Sequence, residues 1–268
     1  MTNIPPIMAP REIGAVNWLG TWTLLEKEVR RFLKVWTQTL IAPMATSLLF
    51  LGIFAVAVGP TAPETGGLPF LTFMAPGLVM MAMIQNAFSN TSSSLMIAKI
   101  QGNIVDLLMP PLTPNEMLVG LVGGGLMRGL LLGLLLALVM LPIGHYDVVA
   151  PVALIFNAVF ASILLALAGI ITAIIADKFD HLAAITNFVV QPLAFLSGTF
   201  YSIHRLPEWL QTLCQINPIF YLIDGFRYGL TGHADGFIWV GVVVTLGLCV
   251  VLWLVCYWML KTGYKLKP

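Results

Sequence analysis

Between residues 237 and 260 the chain carries no charged side chain. A helix rises about 1.5 Å per residue, so a stretch of that length can cross the roughly 30 Å of hydrocarbon in a bilayer. Five further stretches are similarly apolar, at 38–59, 69–90, 117–141, 148–176 and 182–201, with Arg128 the one charged residue among them. Hydrocarbon offers the backbone no hydrogen-bond partners, so segments that cross it as helices close their bonds internally. The expected fold is therefore an all-α membrane protein with six transmembrane helices. Composition agrees: 59% of the 268 residues are hydrophobic and only 9% charged, where soluble domains carry about a quarter charged residues. A net charge of +1, with no basic stretch interleaved with aromatics, gives no reason to expect nucleic acid as a partner. Cys214, Cys249 and Cys256 lack metal-ligand spacing and are assigned no redox role. The first 37 residues are polar and lack the apolar core of a removable signal peptide.

Orientation follows from lysine and arginine, which stay on the cytoplasmic side of short connections. With the N-terminus inside, that side holds Arg11, Lys27, Arg30, Arg31, Lys34, Lys99, Lys178, Lys261, Lys265 and Lys267, against Arg205 and Arg227 outside. An even number of spans then places both termini in the cytoplasm. Before the first span, residues 17–36 mix Trp18, Trp22, Leu25, Val29, Phe32, Leu33 and Trp36 with acidic and basic residues at helical spacing. This pattern predicts an amphipathic helix lying in the membrane interface, with tryptophans at headgroup depth. A plain cytosolic helix is the alternative.

The inner loop between spans two and three contains two helix starts. Asn103 is placed to cap a short helix over 103–109 with Asp106 in its first turn, and Pro110-Pro111 ends it. Ile104, Leu107 and Leu108 are expected to form one apolar face that seeks a protein partner, followed by Met109 at the end. Thr113, Pro114 and Glu116 then supply an N-cap, a first-turn proline and a capping-box carboxylate, so span three begins in the cytoplasm.

Span three carries Gly120, Gly123, Gly124, Gly125, Gly129 and Gly133. A small-xxx-small face lets another helix approach closely, so this span is expected at the centre of the bundle. Whether it packs within the subunit or across a dimer is open at the level of sequence. The same span holds Arg128, the one ionisable residue well inside a span. A charge at the bilayer centre costs about 2.5–3.5 kcal/mol on insertion scales. Either Arg128 bonds to buried carbonyls and fixes helix packing, or it lines a cavity and meets an anionic substrate group. Beyond span five, residues 202–228 are too short and too interrupted by Pro207 and Pro218 to cross the membrane twice more. They predict short helices re-entering the outer leaflet, where irregular backbone survives if covered by protein or facing water. An amphipathic surface loop is the alternative.

Catalytic motifs are missing. The string G-x-x-x-x-G-K-[ST], H-E-x-x-H and G-x-S-x-G do not occur. No catalytic residue is expected in this chain. No span has an aspartate or glutamate in its core, which weakens an ion-coupled carrier. His145, His181, His204 and His233 fall in separate connections, so no metal site is expected.

Taken together, the stretches Asn103-Ile-Val-Asp-Leu-Leu-Met-Pro-Pro-Leu-Thr-Pro114, Val122-Gly-Gly-Gly-Leu-Met-Arg-Gly129, Phe195-Leu-Ser-Gly-Thr-Phe-Tyr201, Leu206-Pro-Glu-Trp209, Asn217-Pro218 and Gly225-Phe-Arg-Tyr228 resemble the ABC-2 type transporter permeases over essentially the whole chain. That resemblance implies the transmembrane subunit of an ATP-binding cassette exporter in a bacterial inner membrane. It further implies a translocation path formed with a second copy, for a lipid, glycan or drug-like substrate. Asn103, Ile104, Asp106, Leu107, Leu108 and Met109 would be the coupling helix that docks in each of two cognate nucleotide-binding ATPase subunits. ATP and magnesium would be held by those subunits, with no cofactor bound by this chain and membrane lipids around it. Arg128, Phe195, Phe200, Tyr201, Trp209, Phe220 and Tyr221 are the expected residues of the path or its outer gate. A non-transporting membrane scaffold and an ion-coupled secondary carrier are the competing readings.

Overall fold

A computed structural model describes residues 14–58, 64–140, 146 and 148–266. Arg11, Lys267, His145 and the expected span ends at Gly59 and Leu141 lie outside them. Five described helices are long and apolar enough to cross a membrane: Thr37–Ala57, Phe70–Ile100, Pro114–Met140, Pro151–Ile175 and Ile238–Thr262. In chain order the α-helices are α1 (Trp18–Lys34), α2 (Ala42–Ala57), α3 (Phe70–Ile100), α4 (Ile104–Leu108), α5 (Pro114–Met140), α6 (Pro151–Ile175), α7 (Phe179–Ile185), α8 (Gln191–Phe195), α9 (Glu208–Ile216), α10 (Pro218–Thr231) and α11 (Ile238–Thr262). A π-helical segment, Thr37–Ile41, leads into α2, and a second, Thr186–Val190, joins α7 to α8.

The centre of the bundle is α3, which is buried along most of its length and packs on α2, α5, α6 and α10. The glycine-rich α5 stands beside it, packed on α1, α3, α6 and α11. Hydropathy stops the span of α3 too early, at Asn90, because Thr91, Ser92 and Ser94 follow. The side chains of Asn90, Thr91 and Ser94 are bonded inside the protein. Thr91 Oγ1 donates to Ala166 O at 2.7 Å and Ser94 Oγ to Glu28 Oε1 at 2.6 Å, while Arg31 Nη2 donates to Asn90 Oδ1 at 2.9 Å. Satisfied polar groups let a helix continue where a transfer scale ends it.

The glycines of α5 pack within the chain. A Cβ on Gly129 would stand 2.7 Å from Ser162 Oγ of α6, and one on Gly133 would meet the Met83 side chain of α3. On the other side, Gly120 and Gly124 admit Leu24 and Glu28 of α1. In α1 itself, Leu24, Glu28 and Phe32 are buried while Trp18, Trp22, Leu33 and Trp36 stay exposed. Asn17 caps the helix, its Oδ1 accepting from Gly20 N at 3.0 Å.

The stretch expected as span five, 182–201, is not one long helix. It runs as α7, the π segment and α8, then passes through turns to Phe200, with Gly198 at φ +69°. Left-handed backbone there suits only glycine without strain, and it ends the helix. After a short 3₁₀ turn, Ile203–Arg205, α9 lies at the periphery, whereas α10 packs on α6, α3 and α11. Asn217 caps α10 by accepting from Ile219 N at 3.1 Å.

Candidate functional site

A cavity of about 350 Å³ opens between α2, α3 and the broken helix of 179–195, with Arg128 of α5 in its wall. Both π-helical segments contribute to it, Gln38 from the first and Thr186 and Val190 from the second. A π turn inserts a residue into the helical ladder and re-aims the side chains beside it, and such turns concentrate at functional sites. The wall is mixed. Gln38, Thr46, Ser47, Gln85, Asn86, Ser89 and Gln191 give it polarity, and Phe50, Leu78, Met81 and Phe88 make it apolar. None of its lining residues is acidic.

Arg128 sits about 21 Å along α5 from Pro114, near the middle of that helix. It is only 8% exposed, and its Nη2 donates to Asn86 Oδ1 at 2.7 Å. Asn86 is held in turn, because its Nδ2 donates to Ala82 O at 3.0 Å. Arg128 Nε and Gln85 Nε2 have no hydrogen-bond partner among the described residues.

At one end the cavity meets an aromatic cluster. Phe200 lines the cavity and stacks on Phe195 at 5.6 Å between ring centres, with Phe54 at 5.6 Å and Phe50 at 6.1 Å. Tyr201 Oη donates to Phe195 O at 3.3 Å and so belongs to the same turn. The remaining expected gate residues are elsewhere. Trp209 is 65% exposed on α9, and Phe220 is buried in a small core with Ile203 and Cys214, its ring 5.2 Å from that of Tyr221. Of the expected path and gate residues, Arg128 and Phe200 line the cavity and Phe195 and Tyr201 lie in the turn beside it, whereas Trp209, Phe220 and Tyr221 do not line it, Phe220 packing behind the same turn near Gly198. Phe50 and Phe54, which complete the cluster, were legible only as two phenylalanines four apart on α2.

Sequence reasoning also missed the lock that Arg227 makes. Arg227 donates through Nε to Phe73 O at 3.1 Å and through Nη2 to Gly198 O at 2.6 Å, and its guanidinium lies 3.8 Å from the centre of the Phe73 ring. Its partner Asp224, 3.4 Å away, accepts from the backbone N–H groups of Asp235 and Gly236 at 3.0 and 2.9 Å. Counted from sequence as a marker of the outer side, Arg227 is in fact a fully buried tie between α10, α3 and the turn at Gly198.

On the opposite end, the capping box forms as expected: Thr113 N donates to Glu116 Oε2 at 2.7 Å. The same carboxylate accepts from Asn17 N at 2.7 Å, and Asn17 Nδ2 donates to Pro111 O at 3.2 Å, which fastens α1 to the inner loop. The short helix α4 exists between Gly102 and Pro110, but two expectations about it are corrected. Asn103 makes no side-chain cap; its Nδ2 turns to Gln101 Oε1 at 3.4 Å. The apolar face points inward: Ile104 and Leu107 are buried with Leu24, Leu95 and Leu118, and Leu108 is half-buried. Burying two leucine-sized groups in the chain's own core outweighs leaving them for a partner, at about 1.5–3 kcal/mol each. What α4 exposes is Val105, Asp106 and Met109, beside a groove of about 450 Å³ walled by α1 and Pro110 to Leu112.

The family model for the ABC-2 type transporter matches residues 20–231. The chain is 36% identical over 254 residues to the inner membrane transport permease YadH of Escherichia coli strain K12, covering 93% of this chain and 98% of that protein. It is 23% identical over 229 residues to nodulation protein J of Neorhizobium galegae, covering 82% of this chain and 83% of the relative.

Proposed function

The chain belongs to the ABC-2 type transporter family, and from that premise, as a membrane permease subunit of an ABC transporter associated with an ATP-binding subunit, we propose how it is coupled and where its substrate passes. The observation that carries the coupling is the mounting of α4. Its inner face is packed into the chain's core, and the loop that follows is bonded to α1 and to the start of α5. A push on the exposed Val105, Asp106 and Met109 would move α1 and α5 together, because rigid, bonded elements transmit displacement as units. These three residues, with the adjoining groove, are the proposed docking site for the ATPase. ATP and magnesium are held in that partner, this chain binding no cofactor.

In this reading residues 179–201 make a sixth crossing, shortened by the π segment, so that both termini lie in the cytoplasm. The helices 203–231 fold back into the outer leaflet, and α1 lies in the inner interface with Trp18, Trp22 and Trp36 toward lipid. Two copies, each with its own ATPase, face one another across the cavity between α2 and 179–200, and the transported lipid, glycan or drug-like molecule leaves past the Phe195 and Phe200 cluster. An ABC cycle of this kind would be exporting.

Co-purification with the ATPase encoded beside this chain tests the coupling step. Met109→Asp places a charge on a residue that is 77% exposed, so the permease is expected to keep its melting behaviour and lose co-elution and stimulated ATP hydrolysis by about tenfold or more. Undiminished co-elution of Met109→Asp and of Val105→Asp would remove α4 as the docking element.

A further inference from the structure

The cavity is short of acceptors. Arg128 carries five N–H donors in a fixed fork, yet it meets one neutral acceptor, Asn86 Oδ1, and no carboxylate pairs with it among the described residues. Its Nε and the neighbouring Gln85 Nε2 are both buried without a partner. An uncompensated guanidinium in the middle of a spanning helix attracts an oxyanion, which it can hold through two parallel, charge-assisted bonds. The same cavity is lined by Phe50, Phe88 and Phe200, a surface suited to an alkyl chain.

We propose that Arg128 and Gln85 form an anion subsite that takes the phosphate or carboxylate head of an amphiphile, with the tail lying along Phe50, Phe88 and Phe200. This rests on the reading of the cavity as part of the transport path and names the chemistry that the path selects. Asn86 acts as a positioning residue, because its bond to Ala82 O fixes the acceptor that orients the guanidinium.

The test uses the purified full-length chain in dodecyl maltoside, with and without its ATPase, and measures binding of decyl phosphate by titration calorimetry. Arg128→Gln keeps a hydrogen-bonding side chain beside Asn86 but removes the charge. It is expected to weaken decyl phosphate at least about tenfold, and Arg128→Lys, which keeps the charge but loses the two-pronged fork, by a smaller factor. Decanoate should follow decyl phosphate, and inorganic phosphate without a tail should bind at least about tenfold more weakly. Should Arg128→Gln fail to fold, Thr46→Trp fills the cavity from the exposed side of α2 and is expected to cause the same loss. Equal affinity for decyl phosphate in the native chain and in the folded variant overturns the subsite, and equal affinity for inorganic phosphate overturns the amphiphile. Co-elution with the ATPase, read on the same preparations, separates the two proposals. A chain that assembles normally but binds decyl phosphate without regard to Arg128 loses this inference alone, and one that binds through Arg128 yet engages no ATPase loses the coupling reading alone.

Discussion

Two buried arginines stand in the same bundle under opposite conditions. Arg227, on α10, is 1% exposed and has an aspartate, two backbone carbonyls and an aromatic ring around its guanidinium. Arg128, in the cavity wall, is 8% exposed and has a single side-chain amide. A buried charge whose three nitrogens are all bonded holds neighbouring elements in one arrangement, whereas one with an unpartnered nitrogen keeps bonding capacity in reserve. The difference separates a part of the molecule tied by its own bonds from a part with donors left over.

The comparison breaks first at Arg227. Replacing it with Met leaves Asp224 buried without its counter-charge and removes the bonds that tie α10 to Phe73 and Gly198. A loss of about 3–5 kcal/mol is expected, the range for breaking a buried pair from one side, and it would be read as a collapse of the melting temperature and of the yield of monodisperse protein in detergent. The double variant Asp224→Asn with Arg227→Met should recover part of that loss, since no lone charge remains. If Arg227→Met melts like the native chain, α10 is not held by this residue and the contrast with Arg128 fails.

How much of this was legible beforehand depended on where the information resides. Long apolar runs reveal helices directly, so α2, α3, α5, α6 and α11 were placed within a few residues apart from the polar end of α3. Asn90, Thr91 and Ser94 misled because hydropathy counts a hydroxyl as a cost, whatever partner the fold later supplies. The π segments at 37–41 and 186–190 left no composition signal at all, and without them neither the interrupted helix of 179–195 nor the cavity could be foreseen. In α4 the pattern of Ile104, Leu107 and Leu108 correctly gave a helix with an apolar face, but periodicity does not say whether such a face turns outward or home. Arg128 was visible as an anomaly, and the sequence left both of its readings open because its neighbours Asn86 and Gln85 lie far from it along the chain. Arg227 was taken as a solvent-side charge because sequence distance hides Phe73 and Gly198, which lie far from it along the chain.

A smaller effect sharpens the Arg227 half of the comparison. Gly198 has φ +69° and its carbonyl accepts from Arg227, so Gly198→Ala is expected to cost about 1–2 kcal/mol through left-handed backbone strain. Its Cβ would also come within 3.3 Å of Tyr201 O. Thermal unfolding in detergent checks the value. A change near zero would mean that the turn relaxes without disturbing Arg227, and the tie would then be looser than its bonds suggest.

The smallest effect is expected where the charge is most anomalous. Arg128→Met keeps a flexible, cavity-filling stem and releases only the bond to Asn86, so unfolding should move by less than about 1 kcal/mol in either direction, as replacing a poorly compensated buried ion by an apolar side chain often does. Retention of an arginine that contributes so little to stability is explained if its worth lies in what it binds. A drop as large as that of Arg227→Met would instead place Arg128 among the ties of the bundle, and the two arginines would then differ in geometry but not in role.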